Sequence, residues 1–281
     1  MVLDELHYYG DVTDWKVRAC KALYGGSNPS IASNKFMMSI QNNLQKIQAH
    51  VKEAAEKSGR DPQDIQIILA VKTVSPERIL KAAELGYTTV AENRVQEAEQ
   101  KIEKINSKPK LDWHFIGHVQ SNKVNKIVRF ATMVQSIDRM KIVKKMNRRL
   151  KKVDKQMDIL IQINTSGEDS KYGVHPGRAI DFVQKASKYE RLHIKGLMTI
   201  GLFSRDWPKV RQGFRQLREI RDAIAAKDIA GVKMEHLSMG MTNDFKIAVE
   251  EGATMVRIGR AIFGERKYPD SYYWPRIKPQ K

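Results

Sequence analysis

The chain of 281 residues predicts an α/β fold, a single (β/α)8 TIM barrel, on three observations. Short β-branched runs alternate with helical stretches from residue 65 onward, and eight such strand runs occur. Strict alternation of this kind makes parallel strands joined by right-handed crossovers. The eight units occupy roughly 245 residues from position 37, the usual size of such a barrel. Moreover, the first strand runs into Lys72-Thr73-Val74-Ser75-Pro76 without a glycine, whereas a doubly wound open sheet carries a glycine-rich turn at that point.

In chain order, residues 1–36 read as an N-terminal extension and 37–281 as the barrel with a short C-terminal tail. The extension balances Lys16, Arg18, Lys21 and Lys35 against Asp4, Glu5, Asp11 and Asp14. Within it, Gly25-Gly26-Ser27-Asn28-Pro29-Ser30 has the composition of a linker. Met37 and Met38 then open an amphipathic helix, with Ile40, Leu44, Ile47 and Val51 at three- and four-residue spacing. The β-branched runs place strands at 65–72, 88–92, 112–117, 132–137, 157–164, 193–200, 232–239 and 254–259. Helical periodicity and turn residues place helices between them at 76–85, 94–105, 121–130, 140–151, 176–189, 209–226 and 243–251.

Composition narrows the function classes. With 41% hydrophobic and 29% charged residues, the chain has the make-up of a soluble globular protein. No apolar run approaches the ~18 residues of a membrane span, and the acids near the start fit neither a secretory nor a transit peptide. The single cysteine, Cys20, excludes an intrachain disulfide and a cysteine metal cluster, and it suits a reducing cytoplasm, the expected location. A net charge of +18 attracts polyanions or small anionic metabolites. The densest stretch, 139–155, sets nine cations against Asp154 alone. It reads as a solvated helix face, since no interleaved aromatics and no zinc-finger or basic-zipper pattern point to nucleic acid as a partner.

A parallel barrel gathers its active site at the C-terminal ends of its strands. Those ends include Lys72, Glu92-Asn93, Gly117-His118, Asn164, Met198-Thr199, Ser238-Met239-Gly240 and Arg257-Ile258-Gly259. Lys72 follows an apolar run, so its stem lies along the barrel wall. Desolvation at the mouth disfavours an ammonium, as a nucleophilic or Schiff-base amine requires. At Ser238-Met239-Gly240-Met241-Thr242-Asn243 a strand passes into a helix, where backbone N–H groups and a hydroxyl can converge on an anion. Arg257-Ile258-Gly259-Arg260 adds a glycine that admits close backbone approach, and the loops after strands seven and eight are the common phosphate site of barrels. An amine facing a phosphate cradle describes a pocket for pyridoxal phosphate. His114 and His118 lack an acidic partner to complete a ligand set, so they read as structural or pocket-lining and no metal is expected.

Six ordered motifs carry a family resemblance: Leu69-Ala70-Val71-Lys72-Thr73, Ala91-Glu92-Asn93-Arg94-Val95-Gln96-Glu97, the stretch from Trp113 to Lys123, Gly196-Leu197-Met198-Thr199-Ile200, Leu237-Ser238-Met239-Gly240-Met241 and Val256-Arg257-Ile258-Gly259. Over about residues 38–266 the chain resembles the pyridoxal-phosphate homeostasis proteins, whose fold is like the N-terminal barrel domain of alanine racemase. The resemblance implies that Lys72 holds pyridoxal 5'-phosphate as a Schiff base. It implies further that Ser238 and the backbone of Gly259 and Arg260 hold the phosphate, that Arg257 faces the pyridine nitrogen and that Asn93 lines the ring pocket. Two positions depart from the family pattern. Ala91 stands where glycine is usual, and Arg260 stands where a small hydroxyl residue is common, exchanging a hydroxyl for a guanidinium.

The function implied by the resemblance is intracellular vitamin B6 homeostasis: a carrier or buffer that hands the cofactor to pyridoxal-phosphate-dependent apoenzymes, without robust turnover of its own. The alternative is a pyridoxal-phosphate-dependent amino-acid racemase, which needs an acid/base group on each face of the substrate. Alanine racemase serves the second face from a separate C-terminal domain, whereas 17 residues follow Gly264 here, and their Tyr268, Tyr272 and Tyr273 read as surface anchors. An arginine at the pyridine nitrogen also weakens the electron sink that an aspartate would strengthen.

Overall fold

The computed structural model describes residues 29–106, 109–168 and 171–264, with side chains from residue 39 onward. Eight parallel strands close into one barrel in chain order: β1 (Gln66–Ala70), β2 (Thr89–Glu92), β3 (Asp112–Phe115), β4 (Met133–Ile137), β5 (Met157–Gln162), β6 (Leu192–Met198), β7 (Val232–Ser238) and β8 (Met255–Ile258). The closure pairs β8 with β1, setting Arg257 beside Ile68 and Ile258 beside Leu69. Around the strands lie α1 (Pro29–Lys57), α2 (Pro76–Glu84), α3 (Val95–Ile105), α4 (Val124–Phe130), α5 (Met140–Lys152), α6 (Ala179–Ala186), α7 (Trp207–Ala225), α8 (Phe245–Glu250) and α9 (Arg260–Phe263). This is the fold class that the alternation of strand and helix patterns predicts.

Both faces of the strands are covered, so they read as apolar runs; all five residues of β4 are buried. Successive side chains point to opposite faces and divide between two cores. Ile68, Ala91, Met133, Leu160, Met198 and Met255 fill the barrel interior. Leu69, Val90, Val134, Ile159, Leu197 and Val256 face the helices. Each such side chain contributes about 1.5–3 kcal/mol on burial, which ties helices and strands into one unit.

The first helix differs from expectation. It begins at Pro29, not Met37, and runs through the boundary placed at residue 36. A proline suits a first helical position, because the N–H it lacks would find no partner there. Ile40, Leu44, Ile47 and Val51 are buried, as their spacing predicts. They seat α1 where the shell is thin, beside the six-residue α8 and the four-residue α9. Asn43 Nδ2 donates to Ile262 O at 3.0 Å, and Arg60 Nη1 donates to Val249 O and Ala253 O at 2.9 and 2.8 Å. Cys20 and the tail tyrosines Tyr268, Tyr272 and Tyr273 lie outside the described residues. Among the described residues no helix is long and apolar enough to cross a membrane.

Candidate functional site

At the C-terminal end of the barrel, a cavity of about 240 Å³ is lined by Lys72, Thr73 and Val74 after β1 and by Met241, Thr242, Asn243, Arg257, Gly259 and Arg260 from β7, β8 and their loops. The strand carrying Lys72 ends at Ala70, two residues earlier than predicted, because residues 71–74 form a tight turn. In that turn the Val74 N–H donates to Val71 O at 2.9 Å and Thr73 takes a φ of +65°. This left-handed conformation costs a β-branched residue about 1–2 kcal/mol, so neighbouring groups must hold it. Glu97 accepts from the Thr73 N–H at 3.2 Å, and Lys101 Nζ donates to Val71 O at 2.7 Å.

The inward-facing positions of β8, β7, β4 and β3 carry a chain of polar side chains. Arg257 donates through Nη1 to Ser238 Oγ and through Nη2 to Thr199 O, both at 2.7 Å. Ser238 Oγ in turn donates a hydrogen bond to Gln135 Oε1 at 2.7 Å. Gln135 Nε2 then donates to His114 Nδ1 at 2.8 Å, which leaves the Nε2–H of His114 to donate to Asp112 at 3.1 Å. Every member finds its partner in the next, as buried polar groups require. The His114 hydrogen bond holds the Asp112 carboxyl below its usual range. Burial pushes the Arg257 guanidinium down to about 10, so it stays a cation at neutral pH, with the Asp244 carboxylate as its counter-charge.

Four of the six predicted site residues, Lys72, Arg257, Gly259 and Arg260, line the cavity together. Ser238 is not among the lining residues. It is fully buried, its hydroxyl donates to Gln135 and its oxygen accepts from Arg257, so it helps to position that guanidinium. Asn93 follows β2 and lies off the cavity lining; its N–H donates to Glu92 Oε2 at 3.0 Å, while its Oδ1 is buried without a hydrogen-bond partner. Behind it Gly117 packs so closely that a Cβ would fall 2.0 Å from Asn93 O. The glycine at 259 answers first to its neighbour strand, since a Cβ there would lie 2.8 Å from Ala70 O.

Thr242, Asn243 and Phe203 also line the cavity and were not predicted to. The loop holding Thr242 and Asn243 was identified, but strand parity decides between its hydroxyls: Ser238 is the last residue of β7 and points into the barrel, leaving Thr242 at the mouth. His114 is buried within the chain of hydrogen bonds described above. His118 stacks on Tyr172 with ring centroids 3.8 Å apart, and Asn164 Nδ2 donates to Glu168 O at 2.9 Å within the same loop. An amine, two guanidinium groups and a hydroxyl around one cavity fit a small anion that carries an aldehyde.

Comparison with known proteins agrees with this geometry. Residues 40–267 match the family described as alanine racemase, N-terminal domain. A pyridoxal phosphate homeostasis protein of Aquifex aeolicus (strain VF5) is 38% identical over 225 residues, 80% of this chain and 97% of that protein. Among solved structures, a protein from Bifidobacterium adolescentis aligns with a TM-score of 0.77 at 32% identity, covering 82% of this chain and 96% of that one. PipY of Synechococcus elongatus PCC7942, solved with pyridoxal phosphate bound, aligns with a TM-score of 0.67 at 27% identity, covering 76% of this chain and all of that one (100%).

Proposed function

This chain belongs to the alanine racemase N-terminal domain family and, within it, to the pyridoxal phosphate homeostasis proteins, and from that premise we propose that it binds pyridoxal 5'-phosphate through Lys72 and serves intracellular vitamin B6 homeostasis. The observation that carries the reading is the cavity itself, where the Lys72 amine shares one lining with Arg257, Gly259, Arg260 and Thr242. When bound, the cofactor supplies an aldehyde that an amine can capture and a ring that draws electrons from the captured group. Lys72, the lysine of the cavity lining, would hold the cofactor through that aldehyde as a Schiff base. The hydroxyl of Thr242, the N–H groups of Gly259 and Arg260 and the Arg260 guanidinium supply donors for the phosphate.

Arg257, a cation at neutral pH, would face the ring nitrogen and disfavour a proton there, which would favour holding the cofactor over carbanion chemistry. Arrival and departure of the cofactor use the open mouth, whose rim exposes Ile200, Phe203 and Trp207. That apolar rim supports delivery to apoenzymes, which would dock on it. The lone Cys20 suits the reducing cytoplasm in which we place this exchange.

A titration with two aldehydes tests the reading. Pyridoxal keeps the aldehyde but lacks the phosphate, and the charge-assisted hydrogen bonds it forgoes are worth about 1.5–3 kcal/mol each. Pyridoxal phosphate should therefore bind at least roughly a hundredfold more tightly. Equal affinity would remove the phosphate site and leave Lys72 a generic reactive amine.

A further inference from the structure

Beneath the Lys72 turn lies a group of charges that the binding reading does not use. Lys101 on α3 is buried, and its Nζ is held by the buried Glu92 carboxylate at the end of β2 and by Glu97 at 3.5 Å. A buried ion pair is a poor source of stability, because desolvating both ions offsets most of their attraction. Two apolar side chains would hold α3 to the barrel equally well. What such a pair would not supply is the set of hydrogen bonds that these three groups make to backbone.

All of those bonds go to the two segments that approach the cavity after β1 and β2. Lys101 Nζ donates to Val71 O at 2.7 Å, on the residue before Lys72. Glu97 accepts from the N–H of Thr73 at 3.2 Å, on the residue after it. Glu92 accepts from the N–H of Asn93 at 3.0 Å, beside the unpartnered Asn93 Oδ1. Lys72 therefore stands between two gripped peptides, and the left-handed Thr73 shows that the grip maintains a turn the chain would not choose alone.

We propose that Lys101, together with Glu92 and Glu97, positions Lys72: the ammonium holds the carbonyl of Val71, the Glu97 carboxylate holds the N–H of Thr73, and the Lys72 amine is thereby presented at one point of the cavity. The inference deepens the proposed function and rests on Lys72 as the cofactor amine. Lys101 touches no cofactor and is not a catalytic residue; it acts through the backbone of its neighbour in space.

The test compares the full chain with Lys101→Met, which keeps the stem and removes the charge, and with Ile105→Val at the far end of α3, chosen to lower Tm without touching residues 71–73. Two rates are followed: growth of the absorbance band of the Lys72–cofactor imine after mixing with pyridoxal phosphate, and labelling of Lys72 by trinitrobenzenesulfonate in cofactor-free protein, read by peptide mapping. A displaced amine should slow imine formation by Lys101→Met roughly tenfold or more and alter Lys72 labelling, while Ile105→Val leaves both rates within about twofold of wild type. If Lys101→Met fails to fold, Glu97→Gln carries the same test, since it leaves the Glu92–Lys101 pair in place. A fallen Tm with both rates unchanged makes the triad purely structural and overturns the proposal. Absence of the imine band in the wild-type protein instead overturns the functional reading, and the labelling comparison then still decides whether the triad positions Lys72.

Discussion

Arg257 keeps a full charge inside the barrel because two acceptors take its hydrogen bonds and the Asp244 carboxylate supplies a counter-charge. Ser238 and the carbonyl of Thr199 take its two terminal nitrogens, while Gln135 and His114 extend the network away from the cavity. Ser238→Ala removes one acceptor from a buried cation and leaves Gln135 Oε1 without its donor. That should lower stability by about 1–3 kcal/mol, measurable as a fall in Tm. If the hydroxyl acts through Arg257, the ratio of pyridoxal phosphate to pyridoxal affinities should stay within about twofold of wild type. A collapse of that ratio would return Ser238 to the phosphate site. The family resemblance implies that assignment, whereas the strand end alone does not say whether its hydroxyl points into the barrel or out of its mouth.

At the scale of elements, α7 is fastened to the end of α8 by two carboxylates, Glu250, which pairs with Arg211, and Glu251. Glu251, almost fully buried, receives Arg211 at 3.0 Å and Arg215 and Arg218 each at 3.2 Å. Burial pushes the Glu251 carboxyl up, but the hydrogen bonds from Arg215 and Arg211 outweigh it and hold the group below its ordinary value. A carboxyl lowered in the folded state adds stability above its unfolded value, near ~4.3, and loses it as pH falls through the folded value. Glu251→Gln should cost about 1–2 kcal/mol at neutral pH, a figure reduced because the arginines are partly solvated. In urea unfolding the gap from wild type should close as pH falls below ~4. A gap that stays constant down to pH ~3 would contradict the ion-pair account. The arginines 211, 215 and 218 were legible as one helical stripe, but their acid lies on the next helix, and nothing local in the sequence joins them. The start of α1 was missed for a related reason: Pro29 within a Gly-Gly-Ser-Asn context has turn composition, yet it also suits a first helical position.

For the molecule as a whole, the barrel was legible because each strand and helix signals itself locally, and alternation then fixes the topology. The +18 charge was legible too, and the cations of 139–155 that fall on α5 sit outside the buried stripe of Ile142, Val143, Met146 and Leu150, as a solvated face predicts. Less legible were the groups brought together across the barrel: Lys101 under Lys72, and Thr242 at the mouth with Arg257 and Gly259. Local patterns bring β1, β7 and β8 to one cavity, and three-dimensional parity then selects which side chains enter it. The claim that joins these parts is that one amine, that of Lys72, captures pyridoxal phosphate. Reduction of the complex with borohydride fixes the C–N bond, and peptide mapping then locates it. The account predicts a single reduced adduct on Lys72 that is absent from Lys72→Ala. An adduct on Lys101, Lys123 or Lys171 in the wild-type protein, with Lys72 unmodified, would contradict it.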